Sequence, residues 1–270
     1  MISVSRSKRK LPYQVIATTE LGDIAYYIPY CNDDCMDGCE GRPVRSITGE
    51  DWMPNFDDRM TVFIAGNPGA GKSYLCKQLI KLLPSSFNIM LFTALQENDG
   101  NFDELGNPKE ENGKKWPLYK ITMTPQNLKT ISLEEIRKRS KDTIMLFDDV
   151  DKIQDSKVSK MIFKLMEDAL ANGRGHKKHD GNGDIHVLCT SHALNDYQKT
   201  KYTLENSNYV ALFPGSTTYR QMHTMFDKIG LDKNLCDYMI QLGKRGVVRS
   251  IIIHKTVPMY IIFGNQIMLL

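Results

Sequence analysis

A chain of 270 residues, 41% hydrophobic and 25% charged, can bury one substantial core with a small appendage. Its formal net charge of +3 excludes a global field for a polyanion, so a nucleic-acid surface must be a local patch. No apolar run reaches the ~18 residues of a membrane helix. The start "MISVSRSKRKLPYQVIATTE" is basic but has no apolar stretch, so no secretory signal is predicted. Six cysteines then point to free thiols in a reducing, intracellular setting.

Residues 1–10, with Arg6, Lys8, Arg9 and Lys10, read as a solvated tail, with a nuclear address or nucleic-acid contact as the sharper alternative. Residues 13–30 alternate as a β-hairpin turning at "LGD". Cys31, Cys35 and Cys39 follow in an acidic stretch; three thiolates every fourth residue could ligate a metal, but the C-x₂-C spacing is missing. Residues 1–52 are therefore expected to be an N-terminal extension and residues 53–270 a single catalytic domain.

In that domain strand-like and helix-like segments alternate. "MTVFIAG" is an apolar strand, and Lys72–Leu83 a helix with Leu75, Leu79, Ile80 and Leu83 on one face. "NIMLFTAL" is a strand, residues 97–116 a polar surface loop, "LYKIT" a short strand and "SLEEIRKRS" a Ser-capped helix. Next come the strand "TIMLFDDV", an amphipathic helix over Val158–Leu170, a glycine-rich loop, and the strands "IHVLCTSH" and "YVALF". "RSIIIH" and "MYIIFG" close the chain as a hairpin. Strands separated by helices imply an α/β fold with a mostly parallel sheet covered on both faces. Cys76, Cys189 and Cys236 lie in apolar segments and are expected in the core.

Between the first strand and its helix, Gly66, Gly71, Lys72 and Ser73 satisfy G-x-x-x-x-G-K-[ST]. Gly66, Asn67, Pro68, Gly69, Ala70 and Gly71 form a loop whose glycines let backbone N–H groups turn inward around a phosphate, and the helix opening at Lys72, Ser73 and Tyr74 adds its dipole. Lys72 reaches β- and γ-oxygens, and the Ser73 hydroxyl suits Mg²⁺. Strand before and helix after are the context that marks a nucleotide site.

Asp148 and Asp149 end an apolar strand where a Walker B carboxylate would hold Mg²⁺. Asp148 takes that role here, and Asp149 that of the group orienting the attacking water; Glu97 is the alternative base. Asp149 could instead merely cap the helix that follows. Two strand-like segments between Lys72 and these acids resemble the extra-strand ATPases, RecA-like motors included. Thr190 and Ser191, ahead of His192, could sense the γ-phosphate from the end of their strand, or simply satisfy its backbone. Arg174, closing the helix after the acids, could act as a finger on a neighbour's nucleotide or simply complement the helix dipole.

Together, "GNPGAGKS", "NIMLFT", "MLFDDV", "NGRGH", "HVLCTSH", "NSNYVALFPGSTTYRQM" and "VVRSIIIH", over residues 58–263, resemble the packaging ATPases of large DNA viruses. These form the poxvirus-type branch of the FtsK/HerA superfamily, with related ATPases in virophages. The resemblance implies a P-loop NTPase of RecA/FtsK-HerA type with a C-terminal β-hairpin and a small N-terminal β extension. It implies ATP hydrolysis with Mg²⁺, Lys72 and Ser73 on phosphate and metal, Asp148 and Asp149 as Walker B, and Arg174 as a trans finger. It further implies a homo-oligomeric ring of five or six subunits, double-stranded DNA as track, a capsid or vertex protein as partner, and no membrane span. Action would be at viral assembly sites in the host cytoplasm or nucleus, with virion association. Family members often carry Gln where this chain runs Thr190, Ser191, His192.

Two rivals remain. A replication or helicase-loader ATPase of the AAA+ kind would need a C-terminal helical lid, whereas this chain ends in strands. A nucleotide-dependent capsid or scaffold switch would bind ATP and barely hydrolyse it.

Overall fold

The computed structural model describes residues 2–5, 14–27, 43–56, 59–94, 100–107, 114–139, 141–174, 181–192 and 197–270. Cys31, Cys35, Cys39, Glu97 and the basic residues Arg6, Lys8, Arg9 and Lys10 lie outside them. Two compact units result: residues 58–207, and residues 1–57 together with 208–270. Compactness therefore does not follow the expected boundary after residue 52, because the N-terminal strands build one unit with the C-terminal segment.

The N-terminal part of that unit holds β1 (Ile2–Ser5), β2 (Gln14–Thr18), β3 (Ile24–Tyr27), β4 (Val44–Arg45) and β5 (Met53–Pro54). The expected hairpin is β2–β3, closed by Thr19 N–H donating to the Asp23 carbonyl at 3.0 Å. Residues 2–5, expected to be a solvated tail, instead pair with β3, giving an antiparallel sheet in the order β1-β3-β2-β5.

The other unit carries β6 (Thr61–Ala65), α1 (Lys72–Lys81), β7 (Asn88–Thr93), α2 (Asp103–Gly106), β8 (Leu118–Lys120), α3 (Pro125–Lys129) and α4 (Leu133–Lys138). It continues with β9 (Thr143–Asp148), α5 (Ser156–Asn172), β10 (Ile185–Ser191) and α6 (Tyr197–Asn206). Its five strands are all parallel, in the order β6-β10-β9-β7-β8. Every residue of β6, β9 and β10 is buried, although successive side chains point to opposite faces. Both faces must therefore be covered, and α1 packs on β6 and β10, α5 on β10 and α6 on β6. The helix α5 follows its apolar period: Val158, Ile162, Met166, Ala169 and Leu170 are buried.

Two expectations change here. The strand separating the phosphate strand from the acid strand is β10; β7 and β8, which precede the acids in sequence, lie beyond β9. The segment expected as a polar loop over 97–116 sends Phe102, Leu105 and Trp116 into the interior, where Trp116 Nε1–H donates to the Pro84 carbonyl at 3.1 Å. Area burial for three such side chains outweighs the polarity of their neighbours.

Residues 208–270 contain β11 (Tyr209–Leu212), α7 (Tyr219–Ile229), α8 (Lys233–Lys244), β12 (Ile251–His254), β13 (Tyr260–Phe263) and β14 (Gln266–Leu269). The expected hairpin is β12–β13, extended by β14, β4 and β11 into an antiparallel sheet β4-β14-β13-β12-β11. The helix pair α7–α8 was not anticipated. Its start is a capping box, with Thr218 accepting from Gln221 N–H and Gln221 returning to Thr218, and its first helix ends at Gly230 in the left-handed region.

Candidate active site

Strand register places the site. Ala65 pairs with Ser191, and Phe147 with Cys189, so Gly66, the residues 190–192 and the residues 148–149 emerge side by side at the carboxyl edge of the parallel sheet. A parallel sheet puts its ligand sites at this edge, where strands hand over to helices.

The loop from Gly66 to Gly71 turns into α1 through two residues of positive φ, Gly69 at 76° and Gly71 at 106°. A Cβ on Gly69 would meet nothing within 4 Å, so glycine is required there by conformation and not by crowding. Gly66 N–H donates to the Ser191 carbonyl at 3.2 Å, fixing the loop to the end of β10. Lys72 is folded back into this cradle and is only 6% exposed. Its Nζ donates to the carbonyls of Gly66 at 3.0 Å and Asn67 at 3.3 Å, and lies 3.1 Å from both ring nitrogens of His192. Burial pulls its ammonium below the usual lysine value, with Asp149 opposing that pull.

Opposite Lys72 stand the acids. Asp148, the last residue of β9, accepts a hydrogen bond from Thr190 Oγ1 at 2.8 Å. The same hydroxyl oxygen accepts from Asp149 N–H at 2.9 Å and lies 3.2 Å from Asp149 Oδ1. Asp149 Oδ2 meets His192 Nε2 at 2.7 Å and Lys152 Nζ at 3.1 Å. Burial alone would raise this carboxyl's pKa, but the hydrogen bonds from His192 and Lys152 outweigh it and hold it below the ordinary aspartate value. Among the described residues Asp149 is the one non-glycine with positive φ, at 50°. Strain of ~1–2 kcal/mol at such a residue persists only where surrounding contacts over-determine it. A cleft of about 610 Å³ opens beside Lys152, between Thr93, Met123 and Asp155.

Thr190 thus bridges the acids, while the Ser191 hydroxyl donates to Asp151 Oδ2 at 2.9 Å. The same oxygen accepts from His192 N–H at 3.0 Å, which fixes the bend that turns His192 inward. Asp151, Lys152 and the central position of His192 escaped the sequence reading. The run "DDVDK" offered a weak signal, since its third acid falls one turn beyond the strand.

Arg174 lies elsewhere. It follows the C-terminus of α5, where the Gly173 carbonyl accepts from the N–H of Ile185, the first residue of β10. This is the amino edge of the sheet, about 17 Å along β10 from Thr190 at the usual rise per residue. Arg174 is exposed there, and its carbonyl accepts from Arg137 Nη1 at 3.3 Å. The residue that staples α5 to the sheet is Arg59, which the sequence reading also missed. It donates to the carbonyls of Leu170 at 2.9 Å, Ile185 at 2.6 Å and Ala169. Burial lowers its pKa to about 10.

The pattern of the "ATPase family associated with various cellular activities (AAA)" matches residues 62–204, more than half of the chain and all of the site just described. The chain belongs to the AAA ATPase family. This AAA ATPase is 26% identical over 218 residues to "Uncharacterized protein V3" of the Sputnik virophage, covering 78% of each chain. Family and relative both agree with the resemblance read from the motifs. Among solved structures, the genome packaging NTPase B204 of Sulfolobus turreted icosahedral virus 2 in complex with AMPPCP aligns at 11% identity. That alignment covers 78% of this chain and 96% of B204, with a TM-score of 0.40. A prototypical ATPase from the type III secretion system of pathogenic bacteria aligns at 13% identity over 83% and 76% of the two chains, with a TM-score of 0.35. No helix among the described residues is long and apolar enough to cross a membrane.

Proposed function

We propose that this AAA ATPase is a genome-packaging motor subunit, hydrolysing ATP within a ring of five or six copies to drive double-stranded DNA into a preformed viral capsid. One observation carries the reading: a buried lysine in a glycine-built cradle faces two carboxylates across Thr190 and His192. Such a site separates two jobs. Backbone N–H groups of Gly69 and of residues 71–73, the α1 dipole and Lys72 hold the phosphates. Asp149 and its neighbours then direct a water at the γ-phosphorus.

Asp148 and Ser73 are both hard oxygen donors, and the carboxylate is fixed by the Thr190 hydroxyl, so they fit Mg²⁺ shared with the nucleotide phosphates. Bound there, Mg²⁺ would neutralise charge developing on the β- and γ-oxygens. Arg174 stands at the edge of the sheet remote from its own cradle, so any nucleotide it touches belongs to a neighbouring subunit. A capsid or vertex protein completes the assembly, at viral assembly sites in the host cytoplasm or nucleus.

The test is steady-state ATP hydrolysis with and without long double-stranded DNA, with Lys72→Ala as blank. Turnover raised by DNA and absent from the variant is expected; turnover indifferent to DNA, even with capsid vertex protein present, overturns the motor reading. A replication-type AAA+ ATPase is the second reading, favoured by the helix pair α7–α8, a segment for which no element was expected. It expects stimulation by DNA and none by the vertex protein.

A further inference from the structure

Asp149 is one methylene shorter than the glutamate that many P-loop ATPases place after the metal-binding acid, and its carboxylate is already engaged. Oδ1 lies by the Thr190 hydroxyl, and Oδ2 holds His192 Nε2 at 2.7 Å and Lys152 Nζ at 3.1 Å. The group standing between Asp149 and the phosphate-binding lysine is the imidazole of His192.

Its partners fix its tautomer. A carboxylate only accepts, so the proton of neutral His192 sits on Nε2 and is donated to Asp149. Nδ1 then carries the ring's one free lone pair. Lys72 Nζ stands 3.1 Å from both ring nitrogens, and with Nε2–H given to Asp149 only Nδ1 can accept from it. When Lys72 turns its N–H groups to phosphate oxygens, Nδ1 loses its donor while Asp149 keeps the ring in place. That leaves a basic nitrogen one hydrogen-bonded atom away from the group that binds the γ-phosphate.

We propose that His192 and Asp149 form a catalytic dyad, with His192 Nδ1 accepting the proton of the attacking water and Asp149 orienting and stabilising the resulting imidazolium. This deepens the ATPase reading above and rests on it. In the step, water oxygen forms a bond to the γ-phosphorus while the bond from phosphorus to the bridging oxygen breaks. ADP departs with that electron pair, and the water proton moves to Nδ1. The imidazolium, between Asp149 and solvent, returns the proton to bulk water after phosphate leaves. Among the described residues, the charged groups around the ring are Lys72 from α1 and Asp149 with Lys152 after β9; Asp151 binds the His192 backbone. Asp151 is a positioning residue, holding the bend and touching no reacting group.

His192→Gln separates the dyad from simple phosphate sensing. A glutamine can accept from Lys72 and donate to Asp149, but it cannot take up a proton. A sensor would survive the change, and related ATPases often carry Gln at this strand end. A dyad would not: kcat should fall about a hundredfold, the low end of what a positioned base contributes, with KM and binding of a non-hydrolysed ATP analogue little changed. Near-normal kcat in His192→Gln overturns the dyad. A second readout is independent of turnover. Nitrogen NMR of the imidazole, assigned by difference from His192→Gln, should show Nε2–H with bare Nδ1 in protein loaded with the analogue; the opposite tautomer, or a ring protonated on both nitrogens at neutral pH, overturns the proposal. If wild-type turnover equals the Lys72→Ala blank, the ATPase reading itself fails, and the NMR measurement still decides the dyad's geometry.

Discussion

At the carboxyl edge of the parallel sheet Asp149, Lys152 and His192 hold one another, and Lys72 adds the His192 ring to its two backbone carbonyls. At the amino edge of the same strands the same residue types rest mainly on backbone, with His186 Nε2 3.8 Å from Asp142 Oδ2. Arg59 donates to three carbonyls, Asp142 Oδ1 accepts from Asp184 N–H at 2.8 Å, and His186 Nδ1 accepts from Met60 N–H at 3.0 Å. Each set has buried members, Lys72 and Asp149 at one edge and Asp142 and His186 at the other, so burial alone does not mark function. The difference lies in what satisfies the charge. A backbone partner is fixed and leaves the group a strut. A side-chain partner can be exchanged for a phosphate oxygen, so the carboxyl edge is set to trade its contacts with a ligand.

Breaking the exchangeable set should act on rate and spare the fold. Lys72→Ala is expected to remove turnover entirely, the largest effect, since no other described cation occupies the cradle. The sign on stability is the opposite. Burial lowers the Lys72 pKa, so the folded protein binds that proton less tightly than the unfolded chain does, and the charged form disfavours folding at neutral pH. Thermal denaturation of Lys72→Ala should therefore show a midpoint equal to or above that of the parent; a marked fall would make Lys72 a strut like Arg59.

The second prediction concerns Arg174, the exposed arginine of the amino edge. If it serves a neighbour's nucleotide, Arg174→Ala should lower turnover roughly a thousandfold at constant stability. Mixed with parent protein, it should depress activity more steeply than its share of subunits. Strictly proportional loss across the mixing series would assign Arg174 to its own helix end and nothing more.

The cradle was legible because its chemistry imposes a spacing: Gly66, Gly71, Lys72 and Ser73 must be where they are for the loop to close on a phosphate. Asp148 and Asp149 were legible because acids rarely end an apolar strand without reason. His192 was visible as a polar strand end but not as a centre, since its place depends on Asp151 bending the chain, a contact 41 residues away in sequence. Strand order was hidden for the same reason. Nothing local tells β10 to insert between β6 and β9; that follows from which buried faces α1 and α5 cover together. Helices α7 and α8 did carry local signals, in Thr218, Gln221 and Gly230, which a closer reading of caps would have found.

Arg59→Ala tests the fixed side of the comparison and should have the smallest effect on chemistry. It removes three charge-assisted bonds and leaves the carbonyls of Ala169, Leu170 and Ile185 without this donor at the end of α5. Part of that loss is returned, because the buried guanidinium is itself costly, as its pKa near 10 records. The net cost should be about 2–3 kcal/mol, read as a lower denaturant midpoint with an unchanged slope. Turnover per folded molecule should stay near that of the parent, since Arg59 touches neither the cradle nor the acids. Glycine at 173 belongs to the same joint: a Cβ there would lie 2.5 Å from Arg59 Nη2. With Arg59 shortened to alanine, part of the clash facing Gly173→Ala disappears, so the double variant should lose less stability than the two single losses added together. Additive losses would mean that Arg59 and Gly173 hold α5 independently, and that the amino edge is not a single strut.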